Sequence, residues 1–475
     1  MRTTGRLPGR LLRNLTARAL ALMCVAGLAL QSAPSWAATL WTTNSGTDST
    51  SCGSKSSPCR SISQSIANAT DGDTIWVGPG RYGDVNGDGT FTGPGDEQPM
   101  PSAGEWDGTG CIVCVTKRLH IYSLQGAAVT LIQGKSQPFY ASSSAANVMI
   151  LHDGGDFGSA GHGFTITGGN VYGLEVQIPD EQIGQSTPAN MTVVGNVDLG
   201  DGTGFYYYGR NYLLRGCPIG DCLFVARLLI QDNRAVNNLI GFNLVPNIWT
   251  GPGQVIVRDN EASGGGTCFS GFPGFQGEPG EYFSGNMQFV NNVASNCGVG
   301  FYADQFVTME YNTAIGNSQI GFLLTPYPGA LFTNNSALGN AGPGVVINYS
   351  PDAFTVWNGQ GFARFDQNTF AGNDRSRPAL PYGSPAGGGG WTYDAGPSAH
   401  CGVLNLGALT SVTLQPPLQA IQLAAGNNYW GSAKGPSASG SGDDAGGVCD
   451  QNASTTMTRP YLTAAPASTQ PFASP

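Results

Sequence analysis

An asparagine-led repeat between Arg227 and Asn373 constrains the fold more than any other feature of this 475-residue sequence. Each copy begins with Asn, a variable residue and Ala. The leading residues of the regular copies are Asn233, Asn260, Asn292, Asn312 and Asn335, and a looser copy starts at Asn368. Consecutive copies are 27, 32, 20, 23 and 33 residues apart. A period in this range predicts a solenoid.

Short apolar runs fill the intervals between these asparagines, for example at 228–230, 255–257 and 345–347. Runs of this length and alternation predict strands and not helices. Asparagine tolerates left-handed turns, and stacked Asn amides can hydrogen-bond one coil to the next. A strand, an Asn turn, a second strand and a Gly turn therefore make one coil of a β-helix, and the Asn residues are assigned to architecture.

The N-terminus, residues 1–37, is predicted to be a secretory signal peptide. Several arginines precede an apolar run from Ala19 to Leu30, and Ser35-Trp36-Ala37 provides a small-x-small cleavage site. The apolar run is too short to span a bilayer, and no later segment qualifies. We therefore expect an extracytoplasmic protein, secreted or periplasmic, with no membrane span.

Net charge limits the classes of partner. The full chain carries 21 basic and 31 acidic residues. The signal peptide holds five Arg and no acid, so the remainder has 16 − 31 = −15. A field of this sign argues against nucleic acid and acidic membrane surfaces, and it also weakens a polyanionic substrate without excluding one. We expect a monomer.

Ten cysteines remain after the signal peptide, an even number that indicates disulfides in an exported chain. Pairing of nearest neighbours gives 52–59, 217–222 and 268–297, although sequence does not determine connectivity. Cys111 and Cys114 are three residues apart, and such positions face opposite sides of an extended strand. A bond between them requires a local turn.

Residues 57–69 are predicted to form a short amphipathic helix, capped by Ser57 with Pro58 in its first turn. Pro58-Cys-Arg-Ser-Ile62 together with Gly72-Asp-Thr-Ile-Trp76 resembles the N-terminal cap and first coil of right-handed parallel β-helix proteins, the pectate-lyase-like family. Segments 119–132, 163–170 and 427–436 resemble later coils and a closing motif.

This resemblance implies an all-β fold, a right-handed parallel β-helix solenoid with a short N-terminal capping helix. The expected organisation is a cap and first coil at 38–82, a β-helix with inserted loops at 83–450, and a disordered tail at 451–475. The family contains lyases, hydrolases, epimerases and non-catalytic surface proteins, so the resemblance favours polysaccharide as the partner without selecting a reaction.

Loops that interrupt the coils are predicted at 83–110, 199–222, 264–284, 349–362 and 376–400. Aromatic rings stack on sugars and Arg binds carboxylates, and these residues are candidates for substrate binding: Tyr206, Tyr207, Tyr208, Arg210, Tyr212, Trp249, Tyr302 and Trp357. The aromatic residues of 199–222 could equally cover an edge of the solenoid.

Carboxylates and arginines beside the predicted strands are the catalytic candidates. Hydrolysis of a glycoside needs two carboxylates at a set separation, which Asp304, Glu310 and Asp366 could supply. A lyase needs a base and a positive group near the uronate, and Arg258 and Arg364 are candidates. Salt bridges between coils remain the alternative role for each arginine.

Oxygen-bearing side chains at alternate positions, Asp84, Asn86 and Asp88, resemble the first half of a calcium loop. Gly95 stands where a bidentate Glu is expected, and the adjacent Asp96 and Glu97 could substitute. Calcium is thus the predicted cofactor, and a solvated turn is the alternative. The function predicted from sequence is that of a secreted β-helix protein that binds or degrades polysaccharide, with a lyase or a glycoside hydrolase as the candidate enzyme types. The alternative is a non-catalytic surface or matrix protein that binds glycan.

Overall fold

Short parallel strands separated by turns make up nearly all of the regular structure. The computed structural model describes residues 37–86, 88, 90–93, 95–100, 110–134, 145–152, 154–168, 171–177, 190–209, 227–246, 254–271, 287–303, 307–325, 330–349, 362–374, 400–408, 422–436, 447–450 and 454–467. Every pairing between its strands is parallel, and the strands stack into three ladders that run along a solenoid.

The first ladder is an eleven-stranded sheet that takes one strand from each coil. Its strands, in spatial order, are Thr39–Thr42, Thr74–Val77, Leu119–Ser123, Gly155–Phe157, Asn190–Val194, Arg227–Gln231, Gln254–Arg258, Met287–Val290, Val307–Glu310, Leu331–Thr333 and Arg364–Asp366.

The second and third ladders together form an eighteen-stranded sheet, because three long strands belong to both. The second ladder contains Gly80–Gly83, Thr130–Gln133, Thr165–Thr167, Val197–Leu199, then the three long strands Arg234–Pro246, Glu261–Gly271 and Val293–Ala303, and finally Thr313–Ile315, Ser336–Leu338 and Thr369–Ala371. The third contains Gly110–Val115, Ala145–Ile150, Tyr172–Gln177, Thr203–Gly209, the same three long strands, Ile320–Leu324, Val345–Tyr349, Cys401–Ala408 and Gly447–Asp450. A separate pair joins Gln422–Ala424 to Thr455–Met457.

A column of phenylalanines fills the interior of the repeat. Phe205, Phe242, Phe269, Phe301 and Phe322 are fully buried register partners of the third ladder. Their ring planes lie within 4–9° of parallel, and neighbouring centroids are 4.7–4.9 Å apart. The spacing matches the distance between parallel strands, about 4.8 Å. Each coil therefore places one ring directly on the ring of the coil before it.

The predicted asparagine ladder is present. Each ladder Asn accepts, on its side-chain oxygen, both the backbone N–H and the side-chain amide of the preceding ladder Asn. At Asn312 the two bonds from Asn292 are 3.0 Å each, and the Asn312 amide donates to Phe289 O at 2.8 Å. The residue before each ladder Asn in the repeat has a positive φ, as at Asp232, Asp259 and Tyr311. The amides thus satisfy buried backbone groups that the turns leave unpaired.

The capping helix spans Ile62–Asn68, so the predicted start at Ser57 is wrong. The chain cannot turn helical at Cys59 because this residue pairs with Thr42 as a parallel bridge and forms a disulfide with Cys52. Ser61 is the N-cap, and its hydroxyl accepts from Gln64 N at 3.1 Å.

Two charged residues from elsewhere in the chain hold the ends of this helix. The Glu97 carboxylate accepts from the N–H groups of Ile62 and Ser63 at 2.8 and 2.7 Å. Lys117 Nζ donates to the carbonyls of Ile66 and Ala69 at 2.8 and 2.6 Å. The carboxyl group lies at the N-terminus, where the helix dipole favours an acceptor, and the ammonium group lies at the C-terminus, where the dipole favours positive charge.

Two predicted loops and part of the predicted tail are ordered parts of the solenoid. Residues 203–209 and 264–271, assigned to loops 199–222 and 264–284, lie in strands of the third ladder, because their aromatic and apolar residues continue the inward columns. Residues 454–467 of the predicted disordered tail are also ordered: Tyr461 packs on the core and Leu462 N donates to Asn428 O at 2.9 Å.

Four disulfides join described residues: Cys52–Cys59, Cys111–Cys114, Cys268–Cys297 and Cys401–Cys449. Two of the three predicted pairs are confirmed, and 217–222 lies outside the described residues. The Cα atoms of Cys111 and Cys114 are 5.5 Å apart, far less than the roughly 10 Å that three residues of extended strand would span. The bond forms within the strand Gly110–Val115, which is contracted between the two cysteines, so the turn expected from sequence is not present.

Candidate functional site

The outward face of the first ladder carries two columns of side chains. Along each strand, buried residues alternate with partly exposed ones, as in Leu119–Ser123, where His120 and Tyr122 face outward. Tyr122 is in register with Trp76, and Trp76 with Trp41. The centroids of the Trp76 and Tyr122 rings are 5.2 Å apart. These three aromatic residues, from three adjacent strands at the capped end of the solenoid, form what we call the aromatic platform.

A hydrogen-bonded cluster adjoins the platform, centred on the carboxylate of Asp156. Its Oδ2 atom lies 2.6 Å from His120 Nδ1 and accepts from the Tyr122 hydroxyl at 2.7 Å. Its Oδ1 atom accepts from the Thr192 hydroxyl at 2.6 Å. Because His120, Asp156 and Thr192 are register partners on three adjacent strands, the backbone pairing fixes the geometry of the cluster.

The protonation states in the cluster follow from these contacts. Partial burial acts to raise the pKa of Asp156, but the hydrogen bonds from Thr192, Tyr122 and His120 outweigh it and hold the pKa below its ordinary value. Burial, together with the Asp156 charge, raises the pKa of Tyr122 well above its ordinary value, so the phenol keeps its proton.

The ionised Asp156 carboxylate can only accept hydrogen bonds, so the proton on neutral His120 resides on Nδ1. No described residue bonds to His120 Nε2, and the side chain is 40% exposed. This nitrogen therefore presents a lone pair to solvent beside the platform. A carboxylate that orients an imidazole in this way is the arrangement of a positioned general base.

A second histidine lies against the platform. The ring of His162 meets Trp76 edge-on, with centroids 5.4 Å apart. Its Nδ1 donates to the Ser123 carbonyl at 2.9 Å, which fixes the ring beside the indole. Together, His120, His162 and the platform give a surface with stacking groups and a proton acceptor side by side.

The structure brings three of the catalytic candidates into one outward column, at the other end of the same ladder. Register pairing runs from Arg258 through Val290 to Glu310, and on through Thr333 to Asp366. Glu310 and Asp366 are thus two strands apart, about 9.6 Å at about 4.8 Å per strand. That is the upper edge of the separation used by inverting glycosidases.

The charges in this column are already engaged locally. Arg364 binds Asp366 through Nη2 at 3.0 and 3.1 Å. Arg258 Nη2 donates to Gln231 Oε1 at 2.8 Å, and its Nε lies 3.7 Å from the carboxylate of Asp259. The ion-pair partners of both arginines lie on their own coil, and only the Arg258–Gln231 hydrogen bond joins two coils, so neither arginine forms the salt bridge between coils weighed from sequence.

The aromatic candidates lie mostly on another face. Tyr206 and Tyr302 are partly exposed residues of the third ladder, and Tyr206 stacks on Tyr172 with centroids 4.6 Å apart. Tyr208 lies beside Tyr206 at 6.2 Å between centroids. Tyr207 is 4% exposed and belongs to the core, so its predicted contact with substrate has no accessible surface. Asp304, Arg210, Tyr212, Trp249 and Trp357 lie outside the described residues.

In the segment predicted to bind calcium, side-chain oxygens accept hydrogen bonds from other residues of the same segment. Asn86 Nδ2 donates to the Asp88 carboxylate at 2.8 Å, and Asp88 accepts from Thr90 N at 2.7 Å. Asp96, one of the two residues that could have completed the loop, accepts from Val85 N and Gly93 N. Glu97, the other, caps the helix. Asp84 is buried. The side-chain oxygens are therefore arranged as in a turn that is stabilised by its own hydrogen bonds, and less as in an open calcium loop. Calcium binding stays a prediction.

One further group of potential ligands brings Asp48 close to Cys52 and Cys59. The two sulfurs are joined in a disulfide, so they are not thiolates and do not form a metal centre. Within the described part of the chain, no helix has the length and apolar character needed to cross a membrane.

Sequence reasoning missed the platform and the cluster. The signal was present in the alternation of Leu40-Trp-Thr, Ile75-Trp-Val and Leu119-His-Ile-Tyr, where each outward position carries an aromatic or polar residue. Asp156 lies on a short strand, and its partners His120 and Thr192 lie 36 residues away on either side. Only the register of the strands shows that they meet.

Comparison with known proteins supports the fold. The family model described as "Right handed beta helix region" matches residues 248–397. Together with the three parallel ladders, this match to less than half of the chain confirms the predicted resemblance and the predicted fold class, a right-handed parallel β-helix. No curated protein matches the sequence.

Three solved structures are similar at low identity. The A-module of mannuronan C-5 epimerase AlgE6 from Azotobacter vinelandii is 12% identical with a TM-score of 0.45, covering 83% of this chain and 91% of the module. A double mutant of the periplasmic alginate epimerase AlgG is 10% identical with a TM-score of 0.40, covering 76% and 79%. The GH136 lacto-N-biosidase from Eubacterium ramulus is 11% identical with a TM-score of 0.34, covering 72% and 67%. At these values the three structures carry no argument about activity.

Proposed function

We propose that this protein is an extracytoplasmic enzyme that acts on polysaccharide at the outward face of the first ladder, over its first five strands. The observation that carries the proposal is the Asp156 carboxylate, which accepts from His120, Tyr122 and Thr192 and leaves His120 Nε2 facing outward beside the platform. Aromatic faces suit sugar rings, and the imidazole suits removal of a proton. The four disulfides support the location outside the cytoplasm.

The cluster favours base-driven elimination over hydrolysis by paired carboxylates. Asp156 is held ionised by three donors, so it cannot serve as the protonated general acid that a glycosidase needs. A base instead suits a uronate, in which the ring carbon C5 carries both a hydrogen and the carboxylate. His120 would take the proton from C5. The electron pair of the broken C5–H bond would form the C4=C5 double bond as the C4–O4 bond breaks. O4 leaves on the shortened glycan with a proton from solvent.

The roles of the neighbouring residues follow from their contacts. Asp156 positions His120 and stabilises the imidazolium that forms when the ring takes a proton. Tyr122 donates to Asp156 and offers its ring face to the sugar, so it acts as a positioning and stacking residue. Trp76 supplies the next stacking face along the ladder.

The test compares His120→Asn with Gln288→Ala on a panel of polyuronates and neutral glycans. Gln288 lies on the same outward column as His120, several strands away. Absorbance of unsaturated products and reducing ends would measure cleavage. Deuterium incorporation into the recovered sugar would reveal proton abstraction without cleavage. We expect His120→Asn to lower the rate about 10²- to 10⁴-fold and Gln288→Ala to leave it unchanged. Full activity of folded His120→Asn would contradict the proposal.

A non-catalytic glycan-binding protein is the second candidate, since the platform alone would suffice to bind sugar. Binding without turnover or deuterium incorporation on any glycan in the panel would favour it.

Calcium at Asp84, Asn86 and Asp88 is a further proposal, which rests on the spacing of these residues alone. A calcium-dependent rise in Tm that Asp88→Ala removes would support it, and an unchanged Tm on calcium addition would count against it.

A further inference from the structure

A lysine stands over the first ring of the platform. Lys55 Nζ lies 5.1 Å from the centroid of the Trp41 indole. Trp41 is on the terminal strand of the first ladder, so it ends the platform on that side. Within the described residues no carboxylate pairs with the Lys55 ammonium. Only four lysines follow the predicted signal peptide, in a chain with a large acidic excess.

The turn that carries Lys55 is fastened to the backbone of Trp41 itself. Trp41 N donates to Gly53 O at 2.8 Å, and Cys59 N donates to Trp41 O at 2.9 Å. The Cys52–Cys59 disulfide closes the same segment. Backbone hydrogen bonds and a disulfide therefore hold the turn that carries Lys55. The Cα atom of Lys55 has a fixed position relative to the indole.

This placement matters for what can bind at Trp41. An ammonium over an indole is held by the ring quadrupole and occupies the face on which a sugar would stack. A neutral sugar gains stacking but must displace the ammonium from the ring. An acidic sugar can stack on the same face while its carboxylate pairs with the displaced ammonium. The ammonium then replaces its contact with the ring by an ion pair with the sugar.

We infer that Trp41 and Lys55 form the end subsite of the platform and that this subsite selects a sugar carrying a carboxylate. The inference rests on the proposed function, because it assigns the substrate class at the same surface. Lys55 is then a specificity-determining residue that does not touch the reacting atoms. It also supplies a local positive charge where the overall field of the protein repels polyanions.

The test measures binding in the full chain with His120→Asn as background, so that substrate is not consumed. Oligomers of mannuronate and galacturonate, and neutral oligomers of equal length, are titrated by calorimetry against Lys55→Gln and Lys55→Arg. We expect Lys55→Gln to weaken binding of the acidic oligomers about two- to five-fold, as loss of one exposed ion pair implies. Neutral oligomers should bind equally or more tightly, and Lys55→Arg should retain the preference. Added salt should reduce the difference.

Trp76→Ala distinguishes a failure of the charge-selecting subsite from a failure of the proposed function, glycan binding at the aromatic platform. If Trp76→Ala weakens all oligomers while Lys55→Gln changes none, or weakens acidic and neutral oligomers equally, the charge-selecting subsite is wrong and the platform stands. If the background protein binds no oligomer, both the platform and the subsite are wrong. Selective loss of acidic oligomers in Lys55→Gln alone supports the inference.

Discussion

The coils before residue 200 and the repeat coils at 227–374 share one architecture but present different outward surfaces on the first ladder. In the repeat, outward charges are engaged locally, as in the Arg364–Asp366 pair at 3.0 Å. In the first coils, the same columns carry the aromatic platform and the His120–Asp156 pair. The repeat, whose sequence is the most periodic, is therefore the part in which the recurring residues stack one coil on the next. The residues that we propose to act on glycan lie outside this periodic part.

The interior differs in a parallel way. The repeat coils are held by neutral side-chain amides that stack from Asn196 to Asn428. The first coils depend on buried carboxyl groups, Glu97 at the capping helix and Asp198 inside the solenoid. Burial, and the neighbouring Asp201, raise the pKa of Asp198 well above its ordinary value. We therefore expect the stability of the first coils to depend more strongly on pH than that of the repeat.

The largest effect is expected from a matched pair of substitutions, Asp156→Asn and Asp366→Asn. Both residues face outward on the first ladder, but only Asp156 orients a histidine. Asp156→Asn should lower turnover about 10²- to 10⁴-fold, because an amide can present its donor to His120 and favour the wrong tautomer. Asp366→Asn should leave turnover unchanged. Steady-state rates on the active glycan measure both, and the reverse ranking would assign the working surface to the repeat.

Breaking the asparagine ladder should affect stability and not turnover. Asn312→Ala removes the acceptor of the Asn292 backbone N–H and one of the two acceptors of the Asn292 side-chain amide, and it removes the donor to the Phe289 carbonyl. The expected loss is about 2–4 kcal/mol in the free energy of unfolding. Denaturant unfolding measures it, with the outward Thr308→Ala as a control expected within about 0.5 kcal/mol. A loss of turnover in folded Asn312→Ala would show that the repeat contributes to the site.

The capping carboxyl should give the first coils a pH dependence. Burial raises the pKa of Glu97 to about 7, against hydrogen bonds from Ser63 and Ile62 that lower it. Below about pH 4.5 the group is protonated in both the folded and unfolded states. Between about 4.5 and 7 only the unfolded chain loses the proton, so the free energy of unfolding falls as pH rises, by about 1–3 kcal/mol.

Glu97→Gln should remove this contribution, so the difference in unfolding free energy between variant and wild type should change across that pH window and level off above it. Urea unfolding at a series of pH values measures the difference. A difference that is constant from pH 4 to 8 would show that Glu97 has an ordinary pKa and is ionised in the cap.

Much of the fold could be predicted from sequence, because it depends on local patterns that recur. The Asn turns, the alternating strands and the pairs Cys52–Cys59 and Cys268–Cys297 each follow from residues within one or two coils. The strand at 203–209 was missed because its four consecutive aromatic residues conceal which of them face inward. Phe205 and Tyr207 do, and Tyr206 and Tyr208 do not.

The site could not be predicted because it depends on register between coils of unequal length. Trp76 and Tyr122 are partners at a separation of 46 residues, whereas His120 and Asp156 are partners at 36. Inserted segments change this spacing from coil to coil, so no fixed period leads from one residue to its neighbour. Backbone pairing supplies the missing register.

We propose that glycan binds on the first coils and not on the repeat. Hydroxyl-radical footprinting with mass spectrometry, with and without a saturating oligouronate, tests it on reactive side chains of both regions. We expect protection of Trp76 and Tyr122 and no change at Tyr311, which is 42% exposed on the repeat. Protection of Tyr311, with Trp76 and Tyr122 unchanged, would contradict it.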